Sequence, residues 1–233
     1  MPRSALPFLA AFGVFGLAAV QLAYYEAIQR LPIGVALVIE YTAPLMILAY
    51  WRLRGRVVGS RLWAAGALTL SGSWFVVGAY DAGLRELNAL GALIALLDAV
   101  LVAFYFLGAE HLMKRVSALT VLLWGSGFGM LAWNLRRPVW DLPWTALSGE
   151  VWLLVLGVVV IATIIPYFLS VAALQHIPAA RASLTSTLEP VIAGVIAWSV
   201  LSERLEPLQV VGGGVVLVGI VVAQSVRVTR GGV

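Results

Sequence analysis

The amino-acid sequence predicts an all-α fold, a polytopic bundle of eight transmembrane helices that contains an inverted-topology repeat. The first observation behind this prediction is composition, because 62% of the 233 residues are hydrophobic and only 11% are charged. A soluble domain averages about 45–50% apolar and about 25% charged residues. A water-soluble fold of this size could not cover so much apolar surface, so lipid must be the solvent for most of it.

Eight apolar segments are the second observation, since a spanning helix needs about 20 mostly apolar residues. The runs are too long, and alternate too little, for transmembrane strands. Short polar or charged connections separate most of them. Numbered 1 to 8 along the chain, the segments are 5–28, 33–51, 62–80, 89–108, 117–135, 151–174, 180–201 and 207–226.

An internal repeat is the third observation. The run AIQRLPIGVALVIEYTAPL at 27–45 is echoed by ALQHIPAARASLTSTLEPV at 173–191, at a constant offset of 146 residues. Each copy has one proline in a turn and a second that interrupts the following helix; these matched pairs are Pro32 with Pro178 and Pro44 with Pro190. Matched Pro-interrupted helices in two halves of a membrane chain predict a site between inverted repeats.

The repeat also predicts how the chain is divided. Segments 1–3 match segments 6–8, five helices later, and because five is odd the two copies cross the bilayer in opposite directions. The first repeat is residues 1–86, with three helices, and the second is residues 87–233, with five. Segments 4 and 5 have no counterpart in the first half, so we expect the chain to lack two helices that preceded segment 1 in a ten-helix ancestor.

The basic residues predict the orientation of the bundle. Ten of the 15 Lys and Arg residues lie at the two termini and in the connections that follow segments 2, 4 and 6. Connections rich in Lys and Arg usually face the cytoplasm. Both termini are therefore expected on the cytoplasmic side of the cell inner membrane.

The two repeat copies resemble a known family. The run YYEAIQRLPIGVALVIEYTAPL and the second-half run STLEPVIAGVIAWSVLSERL are similar to EamA-type permeases of the drug/metabolite transporter superfamily, and the first run is most similar to the threonine/homoserine exporter group. The resemblance implies ten helices in two inverted five-helix repeats, from which this chain departs by lacking the first two. It also implies a secondary transporter that exports small metabolites or amino acids by alternating access.

Three acidic residues inside predicted helices are candidates for substrate binding or proton coupling: Glu40, Asp98 and Glu189. A carboxylate at membrane depth is costly and normally faces protein or water. Glu40 could bind a substrate amine or carry a coupling proton, and Asp98 could relay a proton. The alternative for each is a structural carboxyl group that is hydrogen-bonded to a neighbouring helix.

Aromatic and helix-breaking residues complete the predicted site. Tyr41, Tyr105 and Tyr167 lie inside predicted helices and could line a cavity, although most membrane aromatics serve packing. Pro44 leaves the carbonyl of Glu40 without its helical hydrogen bond, which predicts a polar pocket beside the carboxylate, and Pro190 breaks the matching helix.

Several function classes are not favoured by the sequence. There is no cysteine and no ligand-spaced histidine pair, so we expect no metal site and no thiol nucleophile. There is no Walker-type phosphate loop and no basic cluster suited to nucleic acid. We therefore expect neither an enzyme nor a cofactor site. The expected partners are a small-molecule substrate and the lipid bilayer, and a homodimer is compatible with the sequence. The alternative function is a truncated, non-transporting membrane remnant or an assembly subunit.

Overall fold

The computed structural model describes residues 3–81, 88–141, 144, 148–200, 202 and 204–226. Each of the eight predicted segments forms a helix, and we name these helices α1 to α8 in the same order. All regular structure in the described residues is helical. The helices span Leu6–Ile28, Ile33–Leu53, Ser60–Val76, Ala89–Met113, Ala118–Arg136, Gly149–Ala173, Ala179–Val200 and Pro207–Ser225.

Seven of these helices are long and apolar enough to cross a membrane, so the chain is a multi-pass membrane protein. The exception is α3, which has 17 residues and is therefore about 26 Å long at about 1.5 Å per residue, somewhat less than the roughly 30 Å hydrocarbon core. Its predicted end at residue 80 is wrong, because Val77 leaves helical geometry and Gly78 takes a positive φ of 67°.

The end of α4 also differs from the sequence prediction. The helix continues to Met113, five residues beyond the predicted end, and its last turn contains His111. A composition-based boundary stopped at the first polar residues, but a helix can leave the apolar region and continue into the interface. The boundary predicted between residues 86 and 87, and the last predicted residue of segment 7, lie outside the described residues.

Two helices are broken as the prolines predict. In α2 the break falls at Tyr41 and Thr42, between Ile33–Glu40 (α2a) and Ala43–Leu53 (α2b). In α7 it separates Ala179–Ser186 (α7a) from Glu189–Val200 (α7b). The start and end of α7a, and the start of α7b, are those of α2a and α2b shifted by 146 residues.

The same offset relates α1 and α6. Each contains a wider, π-helical stretch, at Phe12–Ala19 in α1 and at Val158–Ile164 in α6. Widened turns of this kind are rare and occur frequently at functional sites. The irregular features of α1 and α2 therefore recur in α6 and α7 at matching positions.

The helices of the two repeats contact each other at α3 with α8 and at α2b with α7a. Helix α3 lies along α8 at small residues, where the backbones of Gly72 and Gly212 meet closely. Helix α4 packs against α1 and both halves of α2. Segment α7a packs against α2b and α4. The repeat-related pair, α7b and α2a, does not form a packing interface in the described residues.

Candidate functional site

The carboxyl groups of Glu40 and Asp98 meet between α2 and α4. They lie within hydrogen-bonding distance of each other. Glu40 is the last residue of α2a, directly before the helix break, and Asp98 lies in the middle of α4 with 1% of its surface exposed. A carboxylate has only acceptor oxygens, so a hydrogen bond between two carboxyl groups requires that one of them carries a proton.

One oxygen of Asp98, Oδ1, is buried, and no amide or hydroxyl donor in the described residues reaches it. Leaving a buried polar atom without a hydrogen bond is costly, and such atoms in native proteins often mark a functional site or a bound molecule.

Glu189 lies close enough to interact electrostatically with Glu40. It is the first residue of α7b and is exposed. Ser186, the repeat equivalent of Glu40, ends α7a three residues before Glu189, and Thr187 and Leu188 break the helix between them.

The phenol of Tyr24 lies within electrostatic range of all three acidic residues. Tyr41, in the break of α2, interacts electrostatically with Glu189 and Glu40, and is buried. A group of carboxyl groups and aromatic rings is suited to a cation, since carboxylates attract it and ring faces tolerate it.

Pro44 stands at the start of α2b, four residues after Glu40. Proline has no amide hydrogen, so the carbonyl of Glu40 lacks the helical donor it would otherwise have four residues on. The backbone of the break is held instead by Thr42, whose hydroxyl donates to the carbonyl of Ile39 at 2.6 Å. In α7 the hydroxyl of Thr187 donates to Leu184 O at 2.7 Å, beside Pro190.

Tyr105 and Tyr167 belong to a neighbouring polar network between α1, α4 and α6. Their rings meet edge to face with centroids 5.9 Å apart. The side-chain amide of Gln21 donates to the Tyr167 hydroxyl at 2.8 Å, and the Tyr105 hydroxyl donates to Ser170 Oγ at 3.3 Å. The sequence analysis did not identify Gln21, although it stands 146 residues before Tyr167 and so occupies the equivalent repeat position.

Two further acidic residues, Glu26 and Glu110, accept hydrogen bonds from neighbouring elements near opposite ends of the bundle. Glu26, near the end of α1, accepts from Arg30 at 2.7 Å and from Arg136 of α5 at 2.9 Å. Toward the other end, Glu110 of α4 accepts from the backbone amide of Ala179, the first residue of α7a, at 3.1 Å. A carboxylate at a helix N-terminus is stabilised by the unpaired amides and the helix dipole.

Comparisons with known proteins agree with this architecture. The model of the EamA-like transporter family matches residues 89–224, more than half of the chain. A crystal structure of a protein superposes with a TM-score of 0.73 over 91% of this chain and 76% of that chain, at 19% sequence identity. That likeness shows the fold.

Two curated relatives are similar over most of this chain. An uncharacterized transporter of Archaeoglobus fulgidus is 25% identical over 202 residues, which are 86% of this chain and 70% of the relative. The threonine/homoserine exporter RhtA of Escherichia coli K12 is 26% identical over 201 residues, which are 83% of this chain and 63% of the exporter. The chain therefore belongs to the EamA-like transporter family, a family of membrane transporters rather than enzymes.

Proposed function

We propose that this chain is a secondary transporter that exports small metabolites, amino acids among them, across the inner membrane by alternating access. The observation that carries the proposal is the carboxyl pair of Glu40 and Asp98 at the break in α2, with Glu189 at the matching break in α7. Unwound helix ends beside acidic groups near the centre of a bundle are typical of substrate and ion sites in inverted-repeat transporters.

The carboxyl pair suggests how substrate and proton compete. When the site is empty, one proton joins the two groups, since like charges this close cannot both ionise. A substrate ammonium group supplies positive charge, so both groups ionise and the proton leaves as the substrate binds. Export of an amine is then coupled to proton entry. Tyr41 and Tyr105 line the path for the rest of the substrate.

Opposite orientation of the two repeats is part of the proposal. It requires α3 to cross the bilayer despite its 17 residues; helices of this length lie at the short end of the spanning range, and snorkelling side chains or local thinning accommodate the mismatch. With that crossing, both termini lie on the cytoplasmic side, as the distribution of Lys and Arg favours. Residues 1–86 and 87–233 then act as the two units of the cycle.

Flux of L-threonine in proteoliposomes tests this proposal. The wild-type protein should carry radiolabelled L-threonine in response to a proton gradient, and Glu40→Gln should lower the rate at least tenfold, because an amide cannot exchange a proton for an ammonium group. Glu150→Gln, at an exposed position in the first turn of α6, is the matched control and should leave the rate unchanged. Equal rates in wild type and Glu40→Gln would remove Glu40 from the mechanism.

A further inference from the structure

We infer that the hydrogen bond between Gln21 and Tyr167 is the pivot on which the two halves turn, and that it stays closed throughout the cycle. The inference rests on the proposed function, since it requires a cycle in which the two repeats exchange conformations. It goes further by assigning one contact that does not open. Neither residue is placed among the acidic groups that bind substrate or proton.

The separation of the two residues carries the argument. Gln21 Nε2 and Tyr167 OH are 2.8 Å apart in space and 146 residues apart in sequence, and 146 is the repeat offset. Each residue also follows the π-helical stretch of its own helix, Phe12–Ala19 in α1 and Val158–Ile164 in α6. The two partners are therefore equivalent positions of the two repeats.

Equivalent positions touch only where the symmetry axis passes. If a half-turn relates the repeats, each residue and its equivalent lie on opposite sides of the axis at the same distance from it. Two side chains in hydrogen-bond contact with their own equivalents must therefore reach the axis itself. Helices α3 and α8, which are also equivalent, pack along each other, as expected for a second place that the axis crosses.

Alternating access by inverted repeats exchanges the conformations of the two halves. A contact between positions i and j in one state becomes, in the other, a contact between their equivalents. The pair Gln21–Tyr167 becomes Tyr167–Gln21, which is the same contact. A hydrogen bond of this kind is preserved by the exchange, whatever the size of the motion.

The contact between α7a and α2b does not have this property. The packing of α7a on α2b would become packing of α2a on α7b, an interface that the described residues do not contain. The present structure is thus closed at one end of the bundle, and the exchange opens that end. Ile47 of α2b and Ala180 of α7a are buried in the same hydrophobic cluster, so they must separate when that end opens.

The natural absence of cysteine makes this testable by cross-linking. One variant carries Gln21→Cys and Tyr167→Cys, and the matched control carries Ile47→Cys and Ala180→Cys. Each is treated with a bifunctional methanethiosulfonate whose spacer spans the replaced side chains, and separately with a monofunctional reagent that adds the same bulk. L-Threonine flux in proteoliposomes and linking yield, with and without saturating L-threonine, are both measured.

The pivot pair should link with the same yield with and without L-threonine, and its linked form should keep at least half the flux of the monofunctional sample. The control pair should lose at least nine-tenths of its flux on linking. Loss of flux in the linked Gln21–Tyr167 protein, or a linking yield that changes with L-threonine as it does for the control pair, would overturn the pivot while leaving the transporter intact. No flux in the wild-type protein would instead overturn the proposed function, and the pivot with it.

Discussion

At the scale of single residues, the proposed mechanism depends on one proton shared by Glu40 and Asp98. The two carboxyl groups come from different helices, and Asp98 is almost completely buried. Asp98 Oδ1 is buried, and no amide or hydroxyl donor in the described residues reaches it. Buried polar atoms without such donors often occur at functional sites.

The variants Asp98→Asn and Asp98→Ala test whether the side chain of Asp98 stabilises the protein through its contact with Glu40. Asp98→Asn keeps a donor for Glu40, so the free energy of unfolding should change little. Asp98→Ala leaves the carboxyl group of Glu40 buried without its partner, which should lower the free energy of unfolding by about 1–3 kcal/mol. Thermal unfolding in detergent measures both. Equal melting temperatures for the two variants would contradict the contact with Glu40.

The sequence identified these acidic residues one at a time but could not pair them. Hydrophobic composition places Glu40 and Asp98 at membrane depth, because a charge inside an apolar run is visible in the sequence. Which helix each side chain faces depends on the rotation of α2 and α4 about their axes, and nearly all positions of such helices are apolar. The role of Gln21 was missed for a different reason: a single amide near mid-helix carries no signal until its equivalent, Tyr167, is known to touch it.

At the scale of helices, small residues set how closely α3 and α8 approach. A Cβ added to Gly212 would lie 2.6 Å from the Cβ of Phe75 and 2.8 Å from the carbonyl oxygen of Gly72. Because some of these neighbouring atoms belong to the backbone of α3, they cannot move aside as the end of a flexible side chain could. In a bilayer, where lipid is as apolar as the helices, such close backbone packing is a main source of helix association.

Gly212→Val should therefore destabilise the protein, and Gly214→Val should not. Overpacking costs about 1–3 kcal/mol, and at Gly212 the added atoms meet backbone. At Gly214 an added Cβ meets nothing within 4 Å, and both positions lie in the same helix, so helix propensity is matched. The melting temperature of each variant in detergent checks this; a similar fall for both would mean that the α3–α8 contact is not what the glycine preserves.

Helix breaks were easier to predict than helix ends. Pro44 and Pro190 remove an amide hydrogen at fixed places, so the breaks in α2 and α7 follow from the covalent structure of proline. The ends of α3 and α4 depend on Gly78 and on a polar last turn that continues past the apolar run, and a composition window misplaces both. The π-helical stretches were not predicted, since neither contains a proline that would mark an irregular turn.

At the scale of the whole molecule, the repeat organises the other features. The broken helices, the π-helical stretches and the proline turns all recur at an offset of 146 residues. The sequence revealed that offset through five identities in 19 positions, and the helix bounds follow it closely. Whether the two copies face opposite ways depends on the short α3, because a helix that failed to cross would leave both copies in the same orientation.

Labelling of one cysteine at a time tests that orientation most directly. Gln29 and Gln175 are equivalent, identical and exposed residues in the turns before α2 and α7, so Gln29→Cys and Gln175→Cys form a matched pair in a chain without other thiols. In intact spheroplasts a membrane-impermeant maleimide should label only Gln29→Cys, and Gln175→Cys should react only after the membrane is permeabilised. Labelling of both positions from the same side would contradict the inverted repeat and the alternating-access mechanism built on it.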